Sequence, residues 1–286
     1  MRRVLITGGA GLLGRALIRH APAGWELHST RRVQAVGGAQ AHDVELSDAD
    51  AVARLFAGVR PQLVFHTAYS MQHGERDIVA ATRNVVTGCV SQDCRLVHLS
   101  TDLVFDGEHG PYHESAMPAP ISEYGRCKAR AEAEVRTRLP EAAIIRTSLV
   151  TEVEPPDPRV AWVTDHLRRG DPLTLYVDEL RCPIPAADLA AQLWEIAALP
   201  HREAAGVWHL AGPKAVSRYA LGLLIAARFG LDSACITPGH SRDAVPARPR
   251  DVRLLSLRAN SVLGCRARPI SELFAGAAPA PYPCAP

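Results

Sequence analysis

The chain has 286 residues, of which 47% are apolar and 22% charged, and its formal net charge is +2. This composition is typical of a globular protein and excludes a disordered chain, and the balanced charge does not indicate a nucleic-acid partner. No run of about 18 apolar residues occurs, so we expect no membrane span. The first residues lack the long apolar stretch of a signal peptide, and the seven cysteines form no C-x-x-C pair. We therefore expect reduced thiols, a cytoplasmic location and no metal site.

The first half of the chain alternates short apolar runs with helical patterns. Strands are predicted at 2–8, 25–30, 61–68, 95–101 and 141–150, and helices at 11–21, 47–59, 75–91 and 121–139. Ser47 is expected to cap the second of these helices. Continuously apolar strands that alternate with helices indicate a parallel sheet covered on both faces. The predicted fold is α/β, with a Rossmann-type doubly wound parallel sheet.

After residue 150 the pattern becomes less regular. A proline-rich loop at 152–159 is followed by helices at 160–169, 186–199 and 216–230 and by strands at 172–177 and 206–212. We expect residues 1–150 to form the Rossmann domain. Residues 151–286 are expected to form mostly a smaller C-terminal substrate-binding lobe, with some elements returning to the Rossmann sheet.

Three glycines stand at the turn between the first strand and the first helix. Gly8, Gly11 and Gly14 have the spacing G-x-x-G-x-x-G. The first glycine permits a tight turn, the second lets a pyrophosphate approach the backbone, and the third lets the helix pack closely against the strand. The free N–H groups at the start of the helix favour phosphate binding. The turn therefore predicts a dinucleotide site, with a plain glycine turn as the alternative.

The end of the second strand indicates which dinucleotide binds. An acid at this point selects NAD, but here the chain reads Thr30-Arg31-Arg32. Hydroxyl and guanidinium groups suit a ribose 2′-phosphate, so NADPH is predicted, with NADH as the second choice. Asp43 could accept a hydrogen bond from the adenine amino group, or it could be only an acid at the entry to the next helix.

A tyrosine and a lysine are placed four residues apart on a predicted helix. Lys128 is one of only two lysines in a chain that otherwise uses arginine, and it follows Tyr124 in the pattern Y-x-x-x-K. An ammonium on the same helix face can lower the pKa of the tyrosine, which could then protonate a carbonyl oxygen. The lysine could also hold the hydroxyls of the nicotinamide ribose. Ser100 and Thr101 end the fourth strand, where a hydroxyl can reach the substrate.

These motifs together resemble the extended short-chain dehydrogenase/reductases, and in particular the dTDP-4-dehydrorhamnose reductase family. The stretch from Ser100 to Gly107, S-T-D-L-V-F-D-G, is similar to that family's S-T-D-Y-V-F-D-G. Tyr124 to Lys128, Ile145 to Ser148, Val207 to Gly212 and Ala247 to Pro249 also resemble family signatures. The resemblance implies an NADPH- or NADH-dependent reductase of the 4-keto group of a nucleotide-linked 6-deoxyhexose.

The resemblance also implies a role for individual residues. It makes Thr101, Tyr124 and Lys128 the catalytic triad. The cofactor-binding residues it implies are Gly8, Gly11, Leu12, Leu13, Gly14, Thr30, Arg31, Arg32, Asp43, Val44, Thr67, Ala68, Tyr69, Tyr124 and Lys128. The substrate-binding residues it implies are Thr101, Leu103, Val104, Phe105, Leu149, Arg181 and Arg248. Arg146, Arg181 and Arg248 are candidates for binding a diphosphate, with solvated surface cations as the alternative.

Three positions depart from the family pattern. Leu103 and Leu149 stand where the family has aromatic residues that touch the sugar, and Ile78 stands where many extended members carry asparagine. The alternatives are therefore a reductase of an unrelated ketone, or a non-catalytic NADP(H)-binding regulatory subunit such as that of methionine adenosyltransferase. The expected partner is a small molecule, a sugar nucleotide, with no nucleic acid and no membrane, and a homodimer is compatible with the sequence.

Overall fold

The computed structural model describes residues 1–31 and 37–276. The strands in these ranges are β1 (Arg2–Thr7), β2 (Trp25–Arg31), β3 (Gln40–Asp43), β4 (Leu63–His66), β5 (Arg95–Thr101), β6 (Ala143–Thr147), β7 (Val150–Thr151), β8 (Leu173–Tyr176), β9 (Leu180–Arg181), β10 (Ile184–Pro185), β11 (Gly206–Leu210), β12 (Val216–Ser217) and β13 (Ile236–Gly239). The α-helices are α1 (Leu12–Arg19), α2 (Ala49–Val59), α3 (Ala81–Gln92), α4 (Glu123–Arg138), α5 (Pro158–Arg169), α6 (Ala186–Ala198), α7 (His201–Ala204), α8 (Arg218–Arg228), α9 (Leu257–Val262) and α10 (Ile270–Phe274).

Seven strands form one sheet, in the order β11-β6-β5-β4-β1-β2-β3. Every neighbouring pair in it is parallel. The strand order reverses between β1 and β4, and ligands of such sheets bind at that point, beyond the carboxyl ends of the strands. The predicted α/β fold with a doubly wound parallel sheet is confirmed.

Both faces of the sheet are buried, which explains why its strands are continuously apolar. On β1, Val4 and Ile6 join the apolar cluster that contains Trp194 of α6. Leu5 lies between them in sequence and joins the opposite cluster, with Phe56 of α2. Successive strand side chains point to opposite faces, so helices on each side are needed to cover them.

A separate apolar core lies in the second half of the chain. Helices α5 and α8 bury Val163, Leu167, Leu221 and Ile225 against Leu175 of β8. Strand β8 pairs in parallel with β13, which the sequence analysis missed. Strand β11 lies at the edge of the main sheet beside β6. The second half therefore has its own core and also adds a strand to the main sheet.

Three local features differ from the sequence prediction. The predicted strand 141–150 ends at Thr147, and β7 pairs with β10 outside the main sheet. Helix α2 is capped by Asp48, whose carboxylate accepts a hydrogen bond from the Ala51 N–H at 3.0 Å, and not by Ser47. The helix predicted from residue 75 starts as a π-helical turn at Glu75–Ala80 and becomes α-helical at Ala81. None of the described helices has the length and apolar character needed to cross a membrane.

Candidate active site

The glycine turn between β1 and α1 is held by the end of β2. Gly8 has a φ of +71°, and its N–H donates to the Thr30 hydroxyl at 3.1 Å. A Cβ on Gly14 would lie 2.3 Å from the Gly8 carbonyl oxygen, whereas one on Gly11 would lie 3.1 Å from the same atom. Gly14 therefore lets α1 pack onto the turn. Helix α1 has no side-chain cap, so its first N–H groups remain available to a phosphate, and the turn fits a dinucleotide pyrophosphate.

The end of β2 differs from expectation in one contact. Arg31 forms a two-pronged ion pair with Asp43, at 2.8 and 3.2 Å, because the two residues are register partners on β2 and β3. The carboxylate of Asp43 is thus bound by a guanidinium, and this hydrogen bond lowers its pKa. Asp43 does not line the cleft among the described residues, and Asp48 takes the role at the helix entry. Arg32 lies outside the described residues.

A buried histidine organises the end of β4. The Thr7 hydroxyl accepts hydrogen bonds from the N–H groups of Thr67 and Ala68, at 3.1 and 3.2 Å. Its own proton is therefore directed to Nδ1 of His66, 2.8 Å away, which leaves Nε2–H of His66 to donate to Thr82 at 3.1 Å. Burial lowers the pKa of His66 to about 3, so the ring is neutral. This network fixes the turn that carries Thr67 and Ala68 into the cleft.

The predicted catalytic residues meet at the carboxyl end of β5. Thr101 ends this strand, and its hydroxyl accepts from the Leu103 N–H at 3.2 Å. Tyr124 and Lys128 lie four residues apart on α4, and Tyr124 forms a hydrogen bond with Thr101. The Lys128 ammonium donates to the backbone carbonyl of Leu99 on β5. Thr101, Tyr124 and Lys128 all line one cleft of about 800 Å³.

The ionisation of this group differs from the sequence prediction. Burial raises the pKa of Tyr124, and Tyr69 and Asp102 raise it further, while the hydrogen bond with Thr101 lowers it. The Lys128 ammonium is directed to the carbonyl of Leu99. Tyr124 is therefore a neutral phenol in this state of the protein. Burial lowers the pKa of Lys128 to about 8.

The Asp of the S-T-D motif orients an arginine in the cleft. Asp102 is fully buried and binds Arg181 with both oxygens, at 2.8 and 2.6 Å. Ser148 donates to the same carboxylate at 2.6 Å. This pair joins the first half of the chain to β9 of the second half, and it fixes the guanidinium of Arg181 at the cleft wall.

Three further arginines surround Arg181. Glu179 is buried and lies 2.7 Å from Arg248, 3.6 Å from Arg181 and 3.8 Å from Arg218. Burial lowers the pKa of Arg218 to about 10, and the neighbouring guanidiniums of Arg159, Arg181 and Arg248 lower it too. All four arginines line the cleft. Their positive charges exceed the negative charge of the carboxylates that hold them, so an anion bound between them would be stabilised.

The cleft contains most of the site residues predicted from sequence. Those that line it are Gly8, Gly11, Leu12, Leu13, Gly14, Thr30, Arg31, Val44, Thr67, Ala68, Tyr69, Thr101, Leu103, Tyr124, Lys128, Leu149, Arg181 and Arg248. They come from both halves of the chain and surround one continuous space.

Three predicted residues are buried away from the cleft. Val104 and Phe105 have no exposed surface, because the chain turns inward after Leu103 and stacks Phe105 on Tyr112 with ring centres 4.0 Å apart. The predicted substrate contacts of Val104 and Phe105 are therefore wrong. Arg146 is also buried and is bound to Glu132 at 2.8 Å, so it does not face a diphosphate.

Several cleft residues were not found by sequence reasoning. The charged residues among them include Asp77, Asp157, Arg159, Glu179 and Arg218. Asp157 caps α5 through the N–H groups of residues 159 and 160, so the Asp-Pro pair at 157–158 was a usable signal for a helix start. The buried acid Glu179 and the arginine at the start of α8 carry no local signal, since their role depends on contacts between distant segments.

The fold and the site define a class of protein: a Rossmann-type short-chain dehydrogenase/reductase of the extended kind. The glycine turn, the Tyr124–Lys128 pair and a second lobe that completes the cleft are its defining features. The chain belongs to the family described as the RmlD substrate binding domain, whose model matches residues 1–274.

Known proteins similar to the chain cover nearly its whole length. It is 30% identical to the probable low-salt glycan biosynthesis reductase Agl14 of Haloferax volcanii, over 91% of this chain and 92% of that protein. It is 28% identical to methionine adenosyltransferase 2 subunit beta of Danio rerio, over 88% of this chain and 82% of that protein. A crystal structure of a hypothetical dTDP-4-dehydrorhamnose reductase from Sulfolobus tokodaii superposes with a TM-score of 0.81 at 27% identity, covering 94% of this chain and 97% of that one.

Proposed function

We propose that the protein is an NADPH-dependent reductase of a carbonyl group, and that its substrate is the 4-keto group of a nucleotide-linked 6-deoxyhexose. The observation that carries the proposal is the meeting of Thr101, Tyr124 and Lys128 in one cleft with the glycine turn on one side and four arginines on the other. The reductase names of two of the similar proteins support this chemistry.

In this proposal the protonation states match the direction of reduction. The chemistry that a bound nicotinamide would supply is a hydride for the carbonyl carbon. Tyr124 is a neutral phenol and can donate its proton to the carbonyl oxygen, which becomes an alcohol. Thr101 forms a hydrogen bond with Tyr124 and orients it for this transfer. Lys128 provides a positive charge beneath the cleft, where it can bind ribose hydroxyls. The same charge stabilises the negative charge that develops on the carbonyl oxygen of the substrate during reduction.

The cofactor would lie across the end of the sheet between β1 and β4. We propose that the residues that hold it are Gly8, Gly11, Leu12, Leu13, Gly14, Thr30, Arg31, Val44, Thr67, Ala68, Tyr69, Tyr124 and Lys128. Thr30 and Arg31 are described residues that can bind a 2′-phosphate, which supports NADPH. Because Asp43 also holds this guanidinium, NADH remains the second cofactor in the proposal.

The substrate would occupy the side of the cleft built by the second half of the chain. The proposed contacts are Thr101, Leu103, Leu149, Arg181 and Arg248, and we add Arg159 and Arg218 because they line the same cleft. Four guanidiniums suit the diphosphate of a sugar nucleotide, because each can bind two phosphate oxygens. In the same proposal residues 1–150 hold the cofactor and residues 151–286 mostly hold the substrate, in a cytoplasmic protein that can form a homodimer.

A turnover assay with a substrate panel tests this function. Nucleotide-linked 4-keto-6-deoxyhexoses are generated in place by a dehydratase, and NADPH oxidation is followed by absorbance. We expect turnover on at least one member, and its loss in Tyr124→Phe with NADPH binding retained. Tyr219→Phe is the matched control, because Tyr219 packs in the core of the second half and does not line the cleft. Equal rates for Tyr124→Phe and the wild type would refute the proposed proton donor.

A second candidate is a non-catalytic NADP(H)-binding regulatory subunit. The similarity to methionine adenosyltransferase 2 subunit beta favours it. The complete set of Thr101, Tyr124 and Lys128 disfavours it, since binding alone does not require a positioned acid beside a buried ammonium. NADPH binding without turnover on any ketone of the panel would support this candidate, whereas turnover only on an unrelated ketone would keep the reductase chemistry and change the substrate.

A further inference from the structure

Helix α4 carries a third polar residue on the face that holds Tyr124 and Lys128. Glu132 follows Lys128 by four residues, so the two side chains lie on the same face of the helix. Both are buried, with 4% of Lys128 and 1% of Glu132 exposed. A buried carboxylate normally requires partners that compensate for the loss of water. The hydrogen-bond partners of Glu132 show which structural elements this carboxylate connects.

Glu132 joins α4 to the two strands beneath it. Ser100 on β5 donates its hydroxyl to Glu132 at 2.5 Å, and Arg146 on β6 donates through Nε at 3.1 Å and Nη2 at 2.8 Å. Ser100 directly precedes Thr101. The carboxylate therefore ties together the helix that carries Tyr124 and the strand end that carries Thr101.

Glu132 also dominates the charges around Lys128. Among the described residues, His66 of β4, His98 of β5 and Glu132 of α4 interact electrostatically with Lys128. Tyr124 and Asp77 line the same cleft as Lys128, Asp102 lies on the 3-10 turn that packs against α4, and Arg146 of β6 is paired with Glu132. Burial keeps both histidines neutral, since the pKa of His66 falls to about 3 and that of His98 lies well below its usual value. Asp77 is engaged by Arg76 at 2.7 Å.

The lysine needs this carboxylate because burial opposes its charge. Loss of water lowers the pKa of Lys128, and Glu132 is the group that raises it. Among the described residues, the Leu99 carbonyl is the acceptor to which the ammonium donates a hydrogen bond. One carboxylate thus compensates for two buried cations, Arg146 by direct contact and Lys128 across one helical turn.

We propose that Glu132 is a positioning residue for the reaction: anchored by Ser100 and Arg146, it holds Lys128 as an ammonium beneath the cleft and fixes α4 against the end of β5. The proposal rests on the proposed reductase function for its catalytic meaning. Its physical content, the ionisation of Lys128, does not depend on that function and can be measured without cofactor or substrate.

The composition of the chain makes this measurement direct. The only lysines are Lys128 and Lys214, and Lys214 is exposed. NMR of the full chain with isotope-labelled lysine therefore gives two side-chain signals, and titration reports both pKa values with Lys214 as the internal reference. In Glu132→Gln we expect the midpoint of Lys128 to fall by about one pH unit, because a nearby negative charge is removed. At pH 8 its charged fraction would then drop from about a half to about a tenth.

A second variant protects the test against loss of the fold. Glu132→Gln leaves Arg146 buried without its carboxylate, so Glu132→Gln/Arg146→Met removes both charges together. The midpoint of Lys128 is expected to fall in this double variant too, but by less than in Glu132→Gln, because the loss of the Arg146 cation opposes the effect of losing the carboxylate. Glu134→Gln is the matched control, because Glu134 lies on the same helix and pairs at the surface with Arg138. An unchanged Lys128 midpoint in the folded double variant would overturn the proposal.

Activity gives an independent readout. The alkaline limb of kcat/KM is expected to move to lower pH in both Glu132 variants by the same amount as the lysine midpoint, and to stay in place in the control. A uniform loss of rate with an unmoved pH profile would show a purely structural role and would also overturn the proposal. If no substrate is reduced at all, the proposed function fails while the lysine titration still decides the role of Glu132.

Discussion

Replacing Lys128 by methionine should remove activity and yet stabilise the fold at neutral pH. Burial lowers the pKa of Lys128 from 10.5 to about 8. At about 1.4 kcal/mol per pH unit, the charged side chain costs the folded state about 3 kcal/mol. Methionine has a similar length and no charge, but it loses the hydrogen bond to the Leu99 carbonyl, worth about 1 kcal/mol. The expected net gain in the free energy of unfolding is about 2 kcal/mol at pH 7.

The pH dependence of this gain identifies its cause. Between pH 8 and pH 10.5 the unfolded chain keeps the lysine proton while the folded chain has lost it, so the wild type becomes more stable as the pH rises through this window. The methionine variant lacks the group and does not follow. Its advantage should therefore be complete below pH 8 and should disappear by about pH 10.5.

Urea denaturation of the two proteins at several pH values measures the difference directly. Lys214→Met is the control, because Lys214 is exposed and its replacement should leave the free energy of unfolding nearly unchanged. Two results would refute the argument that burial of the charged lysine destabilises the fold. One is a Lys128→Met variant that is less stable than the wild type at pH 7, and the other is a gain in the free energy of unfolding that is the same at pH 7 and pH 10.5.

Three other substitutions test separate parts of the structure. Gly14→Ala places a Cβ 2.3 Å from the Gly8 carbonyl oxygen, so it should destabilise the fold by about 2 kcal/mol and weaken NADPH binding in a titration. The control is Gly58→Ala, which should be neutral or stabilising because no atom lies within 4 Å of the new Cβ. Equal effects of the two substitutions would contradict the packing argument. Asp43→Asn frees Arg31, so the preference for NADPH over NADH in binding assays should rise by about threefold, and a fall would argue against Arg31 as the phosphate contact. His98→Leu removes a buried ring whose two nitrogens have no hydrogen-bond partner among the described residues, so it should stabilise the fold in thermal melts. The gain should grow as the pH falls below 6.5, because the histidine of the unfolded chain binds a proton and the buried histidine of the folded chain does not. A gain that is independent of pH would point to packing alone.

The parts of the site that follow from local patterns could be predicted from sequence. Gly8, Gly11 and Gly14 form a turn whose geometry depends on neighbouring residues, and Tyr124 and Lys128 share a helix face because of their spacing. The rule that ligands bind at the carboxyl ends of parallel strands then brings Thr101 to the same place.

The parts that depend on register and on long-range contacts could not be predicted. Arg31 meets Asp43 because they are register partners of β2 and a four-residue strand that has no clear pattern. The motif predicted that Phe105 contacts the substrate. The chain instead turns inward at the end of a short 3-10 turn and buries this side chain. Glu179 and Arg218 reach the cleft only when β9 and α8 pack together, so their role has no signal within either segment.

Transfer of deuterium tests the central claim most directly. NADPH carrying deuterium at the transferable position of the nicotinamide is incubated with the protein and the panel of nucleotide-linked 4-keto-6-deoxyhexoses, and the products are analysed by mass spectrometry and NMR. The account predicts one deuterium on carbon 4 of the reduced sugar with the wild type and none with Tyr124→Phe. Tight NADPH binding with no deuterium in any sugar would contradict it.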